Sequence, residues 1–340
     1  MTPTHRAWAP GRVNLIGEHT DYTGGLVLPM AIDLGTEIRY RRTTDRRISL
    51  ASADQPIPLS LALPVTDAGA VRPEWGRYVA GVAGQLGTVD GIEGTVSSTV
   101  PLGSGLSSSA ALEVAMALAL GAQGRPVEIA EICRAAEHRA SGVPCGIMDQ
   151  LASAGGIAGH GLLIDCDSLT VEPVPIPSSC SIVVIHSGQQ RGLGGSAYAE
   201  RVSQCASAEA VIGPLRSAAT DAWRHIDDPV VAARARHVIS ENRRVREFAS
   251  ALAACDLAAA GALMVQSHAS LRDDYEVSTP VLDELADRLV DVPGVHGARL
   301  TGAGFGGCVV ALCDAGTDPR PHGSLGWIVR PSAGAHVEAL

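Results

Sequence analysis

Apolar residues recur along this chain in two rhythms that change places near its middle. In the first part the period is close to two, which predicts strands near residues 27–32, 37–41 and 48–51. A helical spacing follows over 74–86, then a strand over 94–100 and two helices over 109–120 and 127–140. The segment 109–120 is apolar on every side except at Glu113, the pattern of a helix without a solvent face. Strands near 162–165 and 182–186 flank the proline-rich piece 173–177, which reads as a connection between two domains, 1–175 and 176–340. Beyond it the 3.6-residue period dominates, with helices over 197–211, 230–252, 257–268 and 281–290. Short strands at 298–301, 308–312 and 327–329 close the chain. Strands and helices in this mixed order predict an α+β fold.

One stretch breaks the apolar rhythm. Glu18-His19-Thr20-Asp21 follows Arg12 and is wedged between Val13, Leu15 and Ile16 on one side and the apolar run 26–32 on the other. Packing alone does not select acids at such positions. We expect a short loop whose two carboxylates and imidazole exchange hydrogen bonds with several hydroxyls, as a sugar would require. His19 stays open between this role and that of a structural histidine bonded to backbone.

Composition removes several chemistries. All 26 basic residues are arginines, so a Walker-type lysine and Schiff-base catalysis are both excluded. A net charge of −10 disfavours nucleic acid and anionic membranes as partners. The eight cysteines contain no C-x-x-C pair and read as reduced thiols. Met1–Arg6 lacks an apolar signal core and no run approaches a membrane span, so a soluble cytoplasmic protein is expected. Its oligomeric state is left open between a monomer and a weak homo-oligomer.

An anion site is expected where Gly103-Ser104-Gly105-Leu106-Ser107-Ser108-Ser109 follows a predicted strand and enters the buried helix. Glycines let backbone amides approach phosphate oxygens, the helix N-terminus is electropositive, and serine hydroxyls can donate to phosphate or ligate Mg²⁺. The same residues also suit an ordinary glycine turn with a serine cap. The second cluster, residues 301–308, satisfies G-x-G-x-x-G in form, yet it runs into a strand close to the chain end. Close backbone packing against a partner loop explains it better than a dinucleotide site.

Asp149 lies among apolar residues and glycines, and a carboxylate placed there needs a partner. Arg12 is the expected one, leaving Asp149 ready to act as a general base. Glu137, on the predicted helix 127–140, is either a metal-ligating carboxylate or an exposed helix acid.

Together these runs resemble the galactokinase family of the GHMP small-molecule kinase superfamily. The specific matches are Gly11-Arg12-Val13-Asn14-Leu15-Ile16-Gly17-Glu18-His19-Thr20-Asp21-Tyr22 and Gly146-Ile147-Met148-Asp149-Gln150. The glycine loops at 103–109 and 300–307 mark only the superfamily. Trp75-Gly76-Arg77-Tyr78, Ser196-Ala197-Tyr198 and the run 270–278 add to a likeness that spans nearly the whole chain. It implies an N-terminal ribosomal-protein-S5-like domain and a C-terminal ferredoxin-like α/β sandwich domain. It also implies transfer of the γ-phosphoryl of ATP to the anomeric hydroxyl of α-D-galactose. By the resemblance Asp149 is the base and Arg12 stabilises charge. Glu18, His19, Asp21, Gly146 and Tyr198 hold the sugar, Gly103 through Ser109 hold the nucleotide, and Ser109 and Glu137 hold Mg²⁺. Two departures stand out: the stretch between Ala51 and Trp75 is compact, and Ser187-Gly188-Gln189-Gln190 differs from the family's forms. The alternatives are a kinase for N-acetylgalactosamine or arabinose and a non-catalytic sugar sensor.

Overall fold

The computed structural model describes residues 3–88, 90–142, 145–189 and 194–340; Met1, Thr2 and Gln190, which entered the readings above, lie outside them. Two long antiparallel strands, β1 (His5–Ile16) and β2 (Leu26–Thr43), form the spine of the first sheet. A hairpin, β3 (Arg47–Ser52) and β4 (Gln55–Ala62), precedes α1 (Gly76–Leu86) and β5 (Gly91–Ser98). Then come α2 (Ser108–Ala119), α3 (Pro126–Ser141) and α4 (Met148–Gly155), followed by the paired strands β6 (His160–Asp165) and β7 (Thr170–Pro175). The second part holds β8 (Cys180–His186), α5 (Gly194–Ile212), α6 (Pro229–Ala253), α7 (Leu257–Asp273) and α8 (Pro280–Val290). It ends with β9 (Val295–Thr301), β10 (Cys308–Asp314), β11 (Gly326–Val329) and β12 (His336–Ala339).

Among the described residues the strands make two sheets, one ordered β12-β1-β2-β5-β3-β4 with β6 and β7 joined through β2, the other β11-β8-β10-β9. The α+β expectation is met. The predicted strands at 27–32 and 37–41 are one continuous strand. Between Pro10–Gly35 and Arg12–Ala31 the register shifts, so β2 carries extra residues past β1 where Asp33 interrupts the apolar pattern. Gly35 is required there because a Cβ would meet the Ala9 carbonyl and the Trp8 ring, both at 2.6 Å. Pro173 and Pro175 also differ from the expected connection: they belong to β7, on the outer side of β6. An edge position tolerates prolines because no further strand needs their N–H.

β1, β4, α4 and β12 escaped the pattern. Polar Arg12 and Asn14 interrupt the apolar rhythm over β1, yet both lie on that strand and are buried. The closing strand β12 returns to pair with β1. Its exposed HVEA sequence has too little apolar content to announce a strand.

One core cluster joins the two halves. Val13, Leu15 and Met30 of the first sheet pack with Phe248 of α6, Met264 of α7 and Val310 of β10. Helix α7 is held unusually close to β9, with Gly261 facing His296 and Gly297 facing Gly261. A Cβ on Gly261 would collide with the His296 carbonyl, which is backbone and cannot swing away. Gly261→Ala is therefore expected to destabilise the protein by about 1–3 kcal/mol, despite the roughly 1 kcal/mol that alanine gains in a helix, as read by urea unfolding.

Candidate active site

The sequence-predicted residues converge from distant parts of the chain. Arg12 comes from β1, Glu18 and His19 from the turn after it, and Asp21 from the short 3₁₀ turn Asp21–Thr23. Asp149 lies in the first turn of α4, Glu137 on α3 and Tyr198 on α5. All of them, with Gly146, line one cavity of about 430 Å³.

At its floor Arg12 grips Asp149 with two parallel hydrogen bonds of 2.7 Å, Nε to Oδ1 and Nη2 to Oδ2. The remaining guanidinium nitrogen, Nη1, donates to the Gly105 carbonyl at 2.6 Å, and the Arg12 amide donates to Leu106 O at 3.2 Å. One residue thus fixes both the acid and the glycine loop. Arg12 is buried and Asp149 only partly so, which leaves the carboxylate accessible from the cavity. Ser107 also donates its hydroxyl to Oδ2. Oδ2 therefore has two donors and Oδ1 one, so Oδ1 retains a free acceptor position.

The loop 103–109 divides its serines between tasks. Ser104 is buried and donates to the Pro101 carbonyl at 2.7 Å, and Leu106 is a core residue. Ser107 sits at the N-cap position of α2 in the left-handed conformation, φ 58°, but its side chain does not cap the helix. It serves Asp149 instead. Ser108 and Ser109 line a second cavity of about 310 Å³, which shares Tyr78 with the first. The electropositive start of α2 lies where the two cavities adjoin.

Carboxylates crowd the first cavity. Gly146 has no side chain because Asp21 occupies that space; a Cβ there would collide with its carboxylate. Burial, and then the negative charges of Asp149 and Glu18, push the Asp21 pKa up to about 7. The Glu18 carboxylate accepts from the Gly302 N–H at 2.6 Å, so the second glycine cluster serves as the partner loop its sequence suggested. His19, in the left-handed region at φ 63°, pairs through Nδ1 with the Tyr22 hydroxyl (2.9 Å) and through Nε2 with the Ala303 carbonyl (3.1 Å). The imidazole is thus bonded inside the protein as well as lining the cavity.

Glu137 is not an exposed helix acid. Its Oε1 accepts from Ser109 Oγ at 3.1 Å, and Gln150 bridges it to the fully buried Glu113. Burial and the nearby Asp149 charge raise its pKa. A hydroxyl and a carboxylate held together beside the electropositive start of a helix are hard oxygen donors suited to Mg²⁺, which commonly takes one or two carboxylates plus substrate phosphates. No cluster of three or more His, Cys, Asp or Glu side chains suited to a metal exists among the described residues.

Several wall residues were not singled out from sequence. Tyr22 and Tyr275 share a hydrogen bond behind His19, and Phe305 and Tyr78 line the cavity. Tyr22, Tyr78 and Tyr275 fall in runs that carry the family likeness, which was their available signal. No disulfide joins any of the eight cysteines, and no helix among the described residues is long and apolar enough to cross a membrane.

Comparison with known proteins agrees with this geometry. Residues 2–42 match the galactokinase galactose-binding signature, 74–156 the GHMP kinases N-terminal domain and 248–320 the GHMP kinases C-terminal domain. The chain is 43% identical to a galactokinase of Bos taurus over 330 residues, covering 92% of this chain and 84% of that protein. It is 45% identical to one of Chloroflexus aurantiacus over 334 residues, covering 92% and 85%. A crystal structure of Lactococcus lactis galactokinase complexed with galactose superposes with a TM-score of 0.90 at 31% identity, covering 98% of this chain and 95% of that one. Methanococcus jannaschii mevalonate kinase shares the fold, with a TM-score of 0.72 at 21% identity over 96% of this chain and 98% of its own. The chain belongs to the galactokinase family, ATP-dependent sugar kinases built on the GHMP kinase fold.

Proposed function

We propose that this protein transfers the γ-phosphoryl of ATP to the anomeric hydroxyl of α-D-galactose, giving galactose 1-phosphate and ADP. The observation that carries the reading is the Arg12–Asp149 pair, placed where an acid-rich cavity meets the serine loop at the start of α2. Glu18, His19, Asp21, Gly146 and Tyr198 form the sugar's surroundings. The second cavity suits adenosine, with Trp75, Leu102 and Leu112 giving apolar surface and Asp54 and Ser98 a polar edge. The cell compartment we propose is the cytoplasm, with residues 1–175 and 176–340 as the two domains.

Phosphoryl transfer depends on alignment and charge neutralisation. The anomeric hydroxyl donates to Oδ1 of Asp149, the oxygen with an acceptor position to spare, and Asp149 takes up the proton as the sugar oxygen attacks phosphorus. Arg12 keeps the acid in place, and its positive charge faces the negative charge developing at the transferred group. Backbone amides of the loop 103–109 and the helix dipole hold the phosphates, which accounts for the absence of lysine from the machinery. Ser109 and Glu137 would hold Mg²⁺, which when bound neutralises phosphate charge.

Incubating purified protein with Mg-ATP and galactose, N-acetylgalactosamine, arabinose or glucose, and locating the phosphate by NMR, tests the assignment. Galactose 1-phosphate is expected as the preferred product, and a clear preference for another sugar would overturn the substrate. Asp149→Asn removes the proton acceptor while keeping the shape, so kcat should fall at least about 10²-fold while galactose binding survives by calorimetry. Asp21 carries its proton below about pH 7 in the unliganded site and is a full acceptor only above it. Galactose affinity should accordingly weaken as pH falls through that value, and Asp21→Asn should flatten this dependence.

A further inference from the structure

The mechanism leaves one group of buried polar side chains unused. Helix α6 presents His237, Glu241 and Asn242, spaced i, i+4 and i+5, to the rear of the turn whose front bears Glu18, His19 and Asp21. Glu241 Oε1 accepts from the Gly17 N–H at 3.0 Å and from Ser267 Oγ at 2.6 Å, while its Oε2 takes Arg244 Nε at 2.7 Å. His237 Nε2 lies 3.1 Å from the Glu18 carbonyl and its Nδ1 2.9 Å from Ser270 Oγ. The Glu18 carbonyl can only accept, so Nε2 donates to it. At the far end of the turn, Asn242 Oδ1 accepts the Leu26 N–H at 2.7 Å.

The approach of α6 to the turn is as close as backbone allows. A Cβ on Gly17, which has φ +96°, would lie 2.9 Å from Val245 Cγ2, and one on Gly25 would lie 2.7 Å from Asn242 Oδ1. The helix therefore touches both ends of the loop, at Gly17 and Gly25, and takes a backbone group at three points between Gly17 and Leu26.

Stability does not account for these polar residues. Glu241, His237 and Asn242 are at most 2% exposed, and the neighbouring Arg244 and Arg299 are almost as deeply buried. Arg244 Nη2 and Arg299 Nε and Nη2 have no hydrogen-bond partner among the described residues. A buried ion pair left partly unsatisfied generally gives no more stability than apolar residues of similar size. What it supplies is direction: each hydrogen bond fixes one backbone group of the turn at a set distance from the helix.

We propose that His237, Glu241 and Asn242 of α6 are positioning residues for sugar binding, acting through Gly17, Glu18 and Leu26 to hold the Glu18–Asp21 turn in its sugar-accepting shape. This rests on the sugar assignment above. None of the three lines either cavity.

The test uses the full chain and two variants, Asn242→Leu and the double variant Glu241→Met with Arg244→Met, which removes both charges of the buried pair together. Galactose KM, ATP KM and kcat are measured beside thermal unfolding. For both variants we expect galactose KM to rise roughly tenfold or more, ATP KM and kcat to stay within about threefold, and the double variant to unfold no earlier than the parent. Unchanged galactose KM in folded protein, or equal rises in both KM values, would overturn the proposal. Should the double variant not fold, the claim that the pair is dispensable for stability is lost, and Asn242→Leu decides the positioning role by the same KM criterion. A parent enzyme that does not phosphorylate galactose removes the sugar assignment and this inference with it, whereas an active parent with insensitive variants removes only this inference.

Discussion

The bidentate contact between Arg12 and Asp149 is the constraint around which the active site is assembled. It ties β1 of the first sheet to the first turn of α4, and through Nη1 it reaches the Gly105 carbonyl of the serine loop. The strand and the loop are also joined by the hydrogen bond from the Arg12 amide to Leu106, and Gly11 permits this because a Cβ there would lie 2.6 Å from the same carbonyl. Acid, loop and sheet thus keep one relative geometry before any ligand arrives. Pre-organisation of this kind is what an in-line transfer needs, since little covalent chemistry is asked of the protein.

Around that pair the site gathers an excess of negative charge. Glu18, Asp21, Glu137 and Asp149 share one cavity, and the buried Glu113 stands behind Glu137. Their mutual repulsion, added to burial, accounts for the raised pKa values of Asp21 and Glu137. An enclosure of this kind favours a ligand rich in hydroxyl donors and a divalent cation beside it. It would repel a bare anion, whereas the backbone amides at the electropositive start of α2 border the second cavity.

Support for the Glu18–Asp21 turn comes largely from the second half of the chain. Gly302 binds the Glu18 carboxylate, the Ala303 carbonyl accepts from His19, and α6 holds the turn's backbone from behind. The turn lies between the halves, above the core cluster in which Val13 and Leu15 meet Phe248 and Met264. Loosening the contact between the halves would therefore reach the sugar's surroundings directly.

Much of this was legible in the residue order. Apolar periodicity located the longer helices but not the eight-residue α4, and the buried α2 was marked by its single charge at Glu113. The acids of the first motif, the serine loop and Asp149 were conspicuous because packing alone does not favour charge among apolar neighbours. What periodicity could not express was pairing across distance. It gave no strand over β1, where Arg12 and Asn14 interrupt the apolar rhythm, although the chemistry of Asp149 had already pointed to Arg12, 137 residues away, as its partner. The strand β12 and the polar face of α6 were silent for the same reason: neither has a local pattern, and each is explained by a partner that folding brings to it. Local sequence determined which groups would seek polar partners; the tertiary fold decided which partners they met, because hydrogen-bond and ion-pair geometry is set by through-space distance rather than by separation along the chain.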